Sequence, residues 1–134
     1  MRVTRLIVIG ALALTACAST TIDPTVTEAP AVAPTTTLPT GTAAELLPRL
    51  LSEAGLLSEA IGADEGKNAQ MDRISNLYDA VRPELGETDG VAALSFDGAI
   101  ELCERGAQFN RPADADKCFR NLSTLSEAYL AGHP

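Results

Sequence analysis

The chain has 134 residues and a formal net charge of −8, from 18 acidic and 10 basic side chains. Nucleic-acid binding rests on lysine and arginine contacts to phosphate, so this charge balance excludes DNA and RNA as expected partners. A chain of this length leaves room for one folded domain, since domains take roughly 100–200 residues each.

The first 16 residues have the pattern of a secretory signal peptide. Arg2 and Arg5 give a positive start, an apolar run follows at residues 6–14, and small residues come next. The alternative is a transmembrane helix, which needs about 17 to 25 apolar residues. The run is too short for a span, and Ser19 and Thr20 close it. We therefore expect an exported protein.

Residues 14–17, Leu-Thr-Ala-Cys, resemble the lipobox of bacterial lipoproteins, where an aliphatic and two small residues precede an invariant cysteine. The resemblance, which covers residues 1–17 only, implies that the Cys17 thiol receives a diacylglyceryl group and becomes the first residue after cleavage behind Ala16. Acyl chains such as palmitate then anchor the protein stably to the outer face of the cell membrane, or to an outer membrane if one is present. The alternative is an ordinary signal peptide cut nearby, which leaves a secreted protein.

Residues 17–42 are predicted to be the lipidated cysteine and a flexible linker. Nine threonines and four prolines fall between residues 19 and 42. Such a segment buries too little apolar surface to offset its ordering entropy, so we expect it to be disordered. In an extended, polyproline-like form it would reach about 75 Å at most.

Residues 43–134 are predicted to be an all-α domain, because apolar residues recur with helical rather than alternating spacing. The pattern places helices at residues 43–63, 66–85, 89–109 and 112–131. Thr42 and Glu45 have capping-box spacing, although Pro48 indicates either a start at Leu47 or a kink. Gly86, after Pro83, fits a helix stop. Short connections favour a small antiparallel four-helix bundle-like domain behind the disordered linker.

The helical period also predicts which side chains face the core. The four inner faces are Leu46, Leu47, Leu50, Leu51, Ala54, Leu57 and Ile61; Met71, Ile74, Leu77, Tyr78, Val81 and Leu85; Val91, Ala92, Phe96, Ala99, Ile100, Leu102, Cys103, Gly106, Ala107 and Phe109; and Ala115, Cys118, Phe119, Leu122, Leu125, Tyr129 and Leu130.

Cys103 and Cys118 are predicted to form a disulfide. They lie equally far from a turn at residues 110–111, so they face each other in an antiparallel hairpin. If Cys17 carries lipid, these two remain as a pair in an oxidising compartment. Closing this loop would stabilise the domain by about 3 kcal/mol. The alternative is two buried free thiols.

The sequence offers no catalytic constellation, so we expect no enzyme activity, no catalytic residues, no metal site and no cofactor. The single histidine, His133, stands near the end of the last predicted helix, where fraying is common. Asp97, Glu101 and Glu104 are helical neighbours that could hold a hard cation, but a solvated acidic face fits them better. Residues 64–68, Asp-Glu-Gly-Lys-Asn, lack most ligands of a calcium loop and are interpreted as a connection.

The expected function is therefore that of a membrane-anchored extracytoplasmic lipoprotein whose helical domain is a non-catalytic interaction or accessory module. The expected partners are the membrane, through the lipid anchor, and an envelope protein. The alternative is a protein that binds a small ligand or cation in the bundle interior or on its acidic helix face.

Overall fold

The computed structural model describes residues 37–133. They form four α-helices: α1 (Ala43–Gly62), α2 (Lys67–Thr88), α3 (Gly90–Gln108) and α4 (Pro112–Gly132). No strand occurs in this part of the chain. The signal peptide, Cys17 and most of the linker lie outside the described residues. The predicted all-α fold class is confirmed.

The helices form an antiparallel four-helix bundle. Each packs against its neighbours in the chain, α1 closes the ring against α4, and α1 touches α3 across the core. Ser58 of α1 donates a hydrogen bond to the Pro112 carbonyl at the start of α4, at 3.4 Å, so these two helices also run in opposite directions. The beginning of α1 and the end of α4 therefore share one end of the bundle.

The core is built from the apolar face of each helix, as amphipathic helices of a bundle require. Its largest fully buried apolar side chains are Phe96, Leu46, Leu47, Leu50, Leu57, Ile74, Leu85, Leu122 and Val81. Among the described residues, none of the four helices combines the length and apolar character needed to cross a bilayer.

α1 begins at Ala43, not at Leu47, and Pro48 lies inside it. The Glu45 carboxylate accepts a hydrogen bond from the Thr42 backbone N–H at 3.0 Å, which forms the predicted capping box. A second carboxylate, that of Glu84 in α2, accepts from the Ala43 N–H at 2.8 Å. These two contacts satisfy N–H groups at the helix start, so the first turn forms ahead of the proline.

α2 continues past Pro83 and Gly86 to Thr88, so the predicted end at Leu85 is wrong. Pro83 is exposed, and the single hydrogen bond that it removes leaves a carbonyl that water can reach. Leu85 is fully buried and its carbonyl accepts from the Asp89 N–H at 2.8 Å. Residues 86–88 are exposed, so the burial of Leu85 and this backbone hydrogen bond, rather than packing of the last turn, outweigh the unfavourable propensities of Pro83 and Gly86.

The predicted inner face of α3 was too wide. Val91 is 76 % exposed and Phe109 is 56 % exposed, whereas Ala93 is buried. Val91 lies about 140° around the helix axis from Phe96, which is at the centre of the buried face. In α4, Phe119 is only partly covered and rests on α1 at Gly55.

Candidate functional site

A cleft of about 330 Å³ opens between α2 and α3 on the surface of the bundle. It is lined by Ser75, Tyr78, Asp79, Arg82, Asp97, Ile100, Glu101 and Glu104. The short connection between the two helices fixes their register and brings residues at equal distances from Asp89 together.

A hydrogen-bonded trio of Tyr78, Arg82 and Asp97 forms one wall of the cleft. The Arg82 guanidinium donates to both Asp97 carboxylate oxygens, at 2.7 and 2.8 Å. The Tyr78 hydroxyl donates to Asp97 Oδ1 at 2.5 Å. Such bidentate pairs fix the relative orientation of the two side chains as well as stabilising the contact. The trio is a link between α2 and α3.

The trio is held in one ionisation state near neutral pH. The hydrogen bond from Arg82, and then that from Tyr78, lowers the pKa of Asp97. Burial, followed by the Asp97 carboxylate, raises the pKa of Tyr78 above its ordinary value. Asp97 also raises the pKa of Arg82. A general acid or base works best with a pKa near the working pH, and these shifts all lead away from it.

The acidic helix face predicted from Asp97, Glu101 and Glu104 exists, since all three line the same cleft. Asp97, however, is engaged by Arg82 and Tyr78, so its oxygens are already used. Within residues 37–133 no group of three histidine, cysteine or acidic side chains has the geometry to hold a metal ion.

A second polar cluster joins α1 to α2. Gln70 is buried, and its side-chain N–H groups donate to the carbonyl and to the carboxylate of Glu53, both at 2.7 Å. Arg73 donates to the same carboxylate at 2.9 Å and also to the Gln70 side-chain oxygen. The Arg73 hydrogen bond lowers the pKa of Glu53. All polar atoms of the Gln70 side chain are therefore satisfied, as burial demands.

The most exposed large apolar side chains of the described residues stand together on α3. Val91 is 76 % exposed and Leu94 is 70 % exposed. Beside them lies an open groove of about 440 Å³ between α3 and α4. It is lined by Ser95, Gly98, Ala99, Asn121, Thr124 and Leu125. No charged side chain lines it.

The predicted disulfide is present. Cys103 and Cys118 are bonded, their Cα atoms are 5.3 Å apart, and both side chains are fully buried. This separation is within the range that disulfides need. The other predicted site residue, Cys17, lies outside the described residues, so its lipidation stays a prediction.

Two other predicted features have structural roles. His133 Nδ1 lies 2.9 Å from the Tyr129 carbonyl, and its ring stacks on that of Tyr129. At the start of α2, the Lys67 ammonium donates to the carboxylate of Asp64 in the α1–α2 connection, at 3.2 Å, and to the side-chain oxygen of Asn110. Lys67 thus ties the two connections at this end of the bundle together, and it neutralises the carboxylate that a cation would need.

The described residues define an all-α, disulfide-linked four-helix bundle. Comparison with protein families, with curated proteins and with solved structures finds no match to this chain. The function is therefore inferred from the residues themselves.

Proposed function

We propose that this chain is a lipid-anchored envelope protein whose helical domain is a non-catalytic interaction module. The observation that carries the proposal is the exposed pair Val91 and Leu94, next to the uncharged groove between α3 and α4. Exposed apolar side chains are ordinary when scattered singly, but a contiguous patch is typical of an interaction surface.

The polar clusters support a structural rather than a chemical use of the charged residues. Asp97 and Glu53 are each bound by an arginine of α2, and the hydrogen bond from that arginine is the largest cause of the lowered pKa of each carboxyl. Structural ion pairs perturb pKa values as active sites do. Here the shifts favour the ionised carboxylates and leave no proton donor or acceptor tuned to neutral pH in either cluster.

The interaction role is tested by crosslinking the native, membrane-anchored protein in cells and identifying captured proteins by mass spectrometry. We expect one enriched envelope protein that is lost when residues 43–134 are deleted and the anchor is kept. Capture of random membrane neighbours by both forms would contradict the proposal.

The lipid anchor is tested by replacing Cys17 with alanine. We expect the full chain to incorporate a labelled fatty acid and to fractionate with membranes, and Cys17→Ala to lose both properties. A wild-type chain that is cleaved but carries no label would instead indicate an ordinary signal peptide.

The ligand-binding alternative would use the cleft between α2 and α3. Glu101 and Glu104 line it without an ion pair among the described residues. Calcium, magnesium and polyamines should raise the melting temperature if they bind only the folded state. Replacement of both residues by glutamine should abolish such a rise. This alternative is second because, among the described residues, no third acidic, histidine or cysteine side chain joins these two carboxylates in a geometry that could hold a metal ion.

A further inference from the structure

An apolar stripe runs along the solvent side of α3. It consists of Val91, Leu94, Gly98, Leu102 and the side-chain stem of Arg105, and we call it the α3 outer face. These positions recur at intervals of three and four residues, the spacing by which one helix packs along another. The inner side of α3 already contacts the other three helices, and Leu102 packs partly against the core. Val91 and Leu94 are mostly exposed, so this half of the stripe is not needed for the packing of the described chain.

Gly98 at the centre of this face is costly for a helix, by roughly 0.5–1 kcal/mol relative to alanine. Apart from its own helical turns, no part of the described chain lies within 4 Å of the position that a Cβ at Gly98 would take, so no packing contact requires a glycine here. Gly106, in the same helix, shows that a glycine lets a neighbouring helix come close to the backbone. A Cβ there would lie 3.0 Å from the Ala115 backbone nitrogen, because α4 crosses close by.

We propose that the α3 outer face binds a second copy of this chain, with the two α3 helices antiparallel and crossing at Gly98. This rests on the proposed function in two ways, since it uses the same surface and takes the lipid anchor as the means that confines both copies to one membrane. A two-fold axis at Gly98 places Leu94 opposite Leu102 of the second copy, and Val91 opposite the aliphatic stem of Arg105. The apolar N-terminal half of the stripe thus meets its own C-terminal half, as a two-fold interface requires.

The charges on this face fit the same register. Arg105 makes no ion pair among the described residues. In the two-fold arrangement it comes next to the start of α3 in the second copy, where Asp89 precedes the helix and Glu87 stands in the last turn of α2. Two equivalent attractions result, which offset part of the repulsion between two acidic chains.

One helix pair buries less surface than the roughly 1,200 Å² of a stable interface, so the dimer is weak in dilute solution. Confinement of both copies to a membrane raises their effective concentration and favours the dimer there.

The test incorporates a photo-crosslinking amino acid in place of Leu94 in the full-length, membrane-anchored protein. We expect a product of twice the chain mass, with peptides joined between position 94 and residues 102–105. Isotope-mixed cells show that the joined peptides come from different copies. The same amino acid in place of Leu56, which is half-exposed on α1, is the control and should give no such product.

Gly98→Leu should reduce the dimer product about tenfold, because it blocks the close approach of the two helices. The fold should be kept, since the space above Gly98 is open. Gly86→Leu, at another open helical glycine, should leave the product unchanged. Crosslinks from position 94 only to a different protein would overturn the dimer and uphold the interaction module. If position 94 gave no crosslink at all, both the dimer and the interaction module at this surface would be overturned.

Discussion

Gly106 lies in the contact between α3 and α4 at a separation that leaves no room for a side chain. A Cβ there would be 3.0 Å from the Ala115 nitrogen and 3.3 Å from the Arg111 carbonyl oxygen. Both are backbone atoms, so relief requires the helices to move apart. We expect Gly106→Ala to destabilise the domain by about 1–3 kcal/mol, measured by urea unfolding.

The matched control is Gly86→Ala, because that glycine is helical and has open space where a Cβ would be. It should stabilise the domain by about 0.5–1 kcal/mol through helix propensity alone. Equal effects of the two substitutions would contradict the close approach at Gly106.

Asp97 is predicted to make stability depend on pH. Arg82 and Tyr78 lower its pKa in the folded state, so folding favours the ionised form. This contribution is complete above the unfolded pKa of about 3.9 and is lost as the pH falls through the lower folded value. Asp97→Asn should therefore cost about 1 kcal/mol at pH 7, and the difference from wild type should shrink below about pH 4.

Thermal unfolding of both proteins from pH 7 to pH 2 measures this effect. Glu104→Gln is the control at pH 7, since Glu104 lines the same cleft but makes no ion pair within residues 37–133. It should change stability by less than about 0.5 kcal/mol. A constant difference between Asp97→Asn and wild type across the acid range would refute the assignment.

At the scale of the elements, Asp89 alone separates α2 from α3. Its carboxylate accepts hydrogen bonds from the Val91 and Ala92 N–H groups, at 3.0 and 2.9 Å. It therefore caps α3, and Asp89→Ala should destabilise the domain by about 1 kcal/mol in urea unfolding. Asp89→Asn keeps an accepting oxygen and should lose much less. A similar loss in both variants would show that the charge, and not the cap, matters.

The helix starts were more predictable than the ends. Thr42 and Pro112 act locally, through a cap and a fixed φ angle. The start at Pro112 was predicted where the structure has it, and the capping box indicated the start at Ala43, although Pro48 had left Leu47 open as an alternative start. The end of α2 depends on Leu85, whose burial is supplied by other helices. Local propensity therefore gave a stop three residues too early, at Pro83 and Gly86.

The cleft and the buried Gln70 were not predicted, although a usable signal was present. The midpoint of Arg82 and Asp97 falls at the α2–α3 turn, and that of Glu53 and Arg73 falls at the α1–α2 turn. The same symmetry predicted the disulfide. Applied to charged residues, it would have found both ion pairs. This symmetry could not predict that Val91 is exposed, because burial depends on how far the neighbouring helices wrap around α3.

At the scale of the whole molecule, we expect the Cys103–Cys118 disulfide to contribute more to the free energy of unfolding than any other single bond. It closes a loop of about 15 residues, which corresponds to roughly 3 kcal/mol in the chain-entropy model. Unfolding in urea with and without prior reduction should differ by about this amount. Because both sulfurs are fully buried, reductant should act on the native protein only as it unfolds. Rapid reduction without loss of helix content would contradict this.

The two polar clusters would resist mechanical load if the domain were attached both ahead of α1 and at α3. If the proposed lipid anchor pulls on the chain ahead of α1 and the proposed dimer holds the α3 outer face, the load acts between α1 and α3, which have the smallest contact of the five contacting helix pairs. Most of the tension between them would pass through α2 and α4, which have larger contacts with both helices. Along the first route it crosses the Glu53–Gln70–Arg73 cluster and then the Tyr78–Arg82–Asp97 trio. Along the second it crosses the disulfide. The two hydrogen-bonded clusters and the disulfide thus lie on the paths along which the proposed anchor would load the domain.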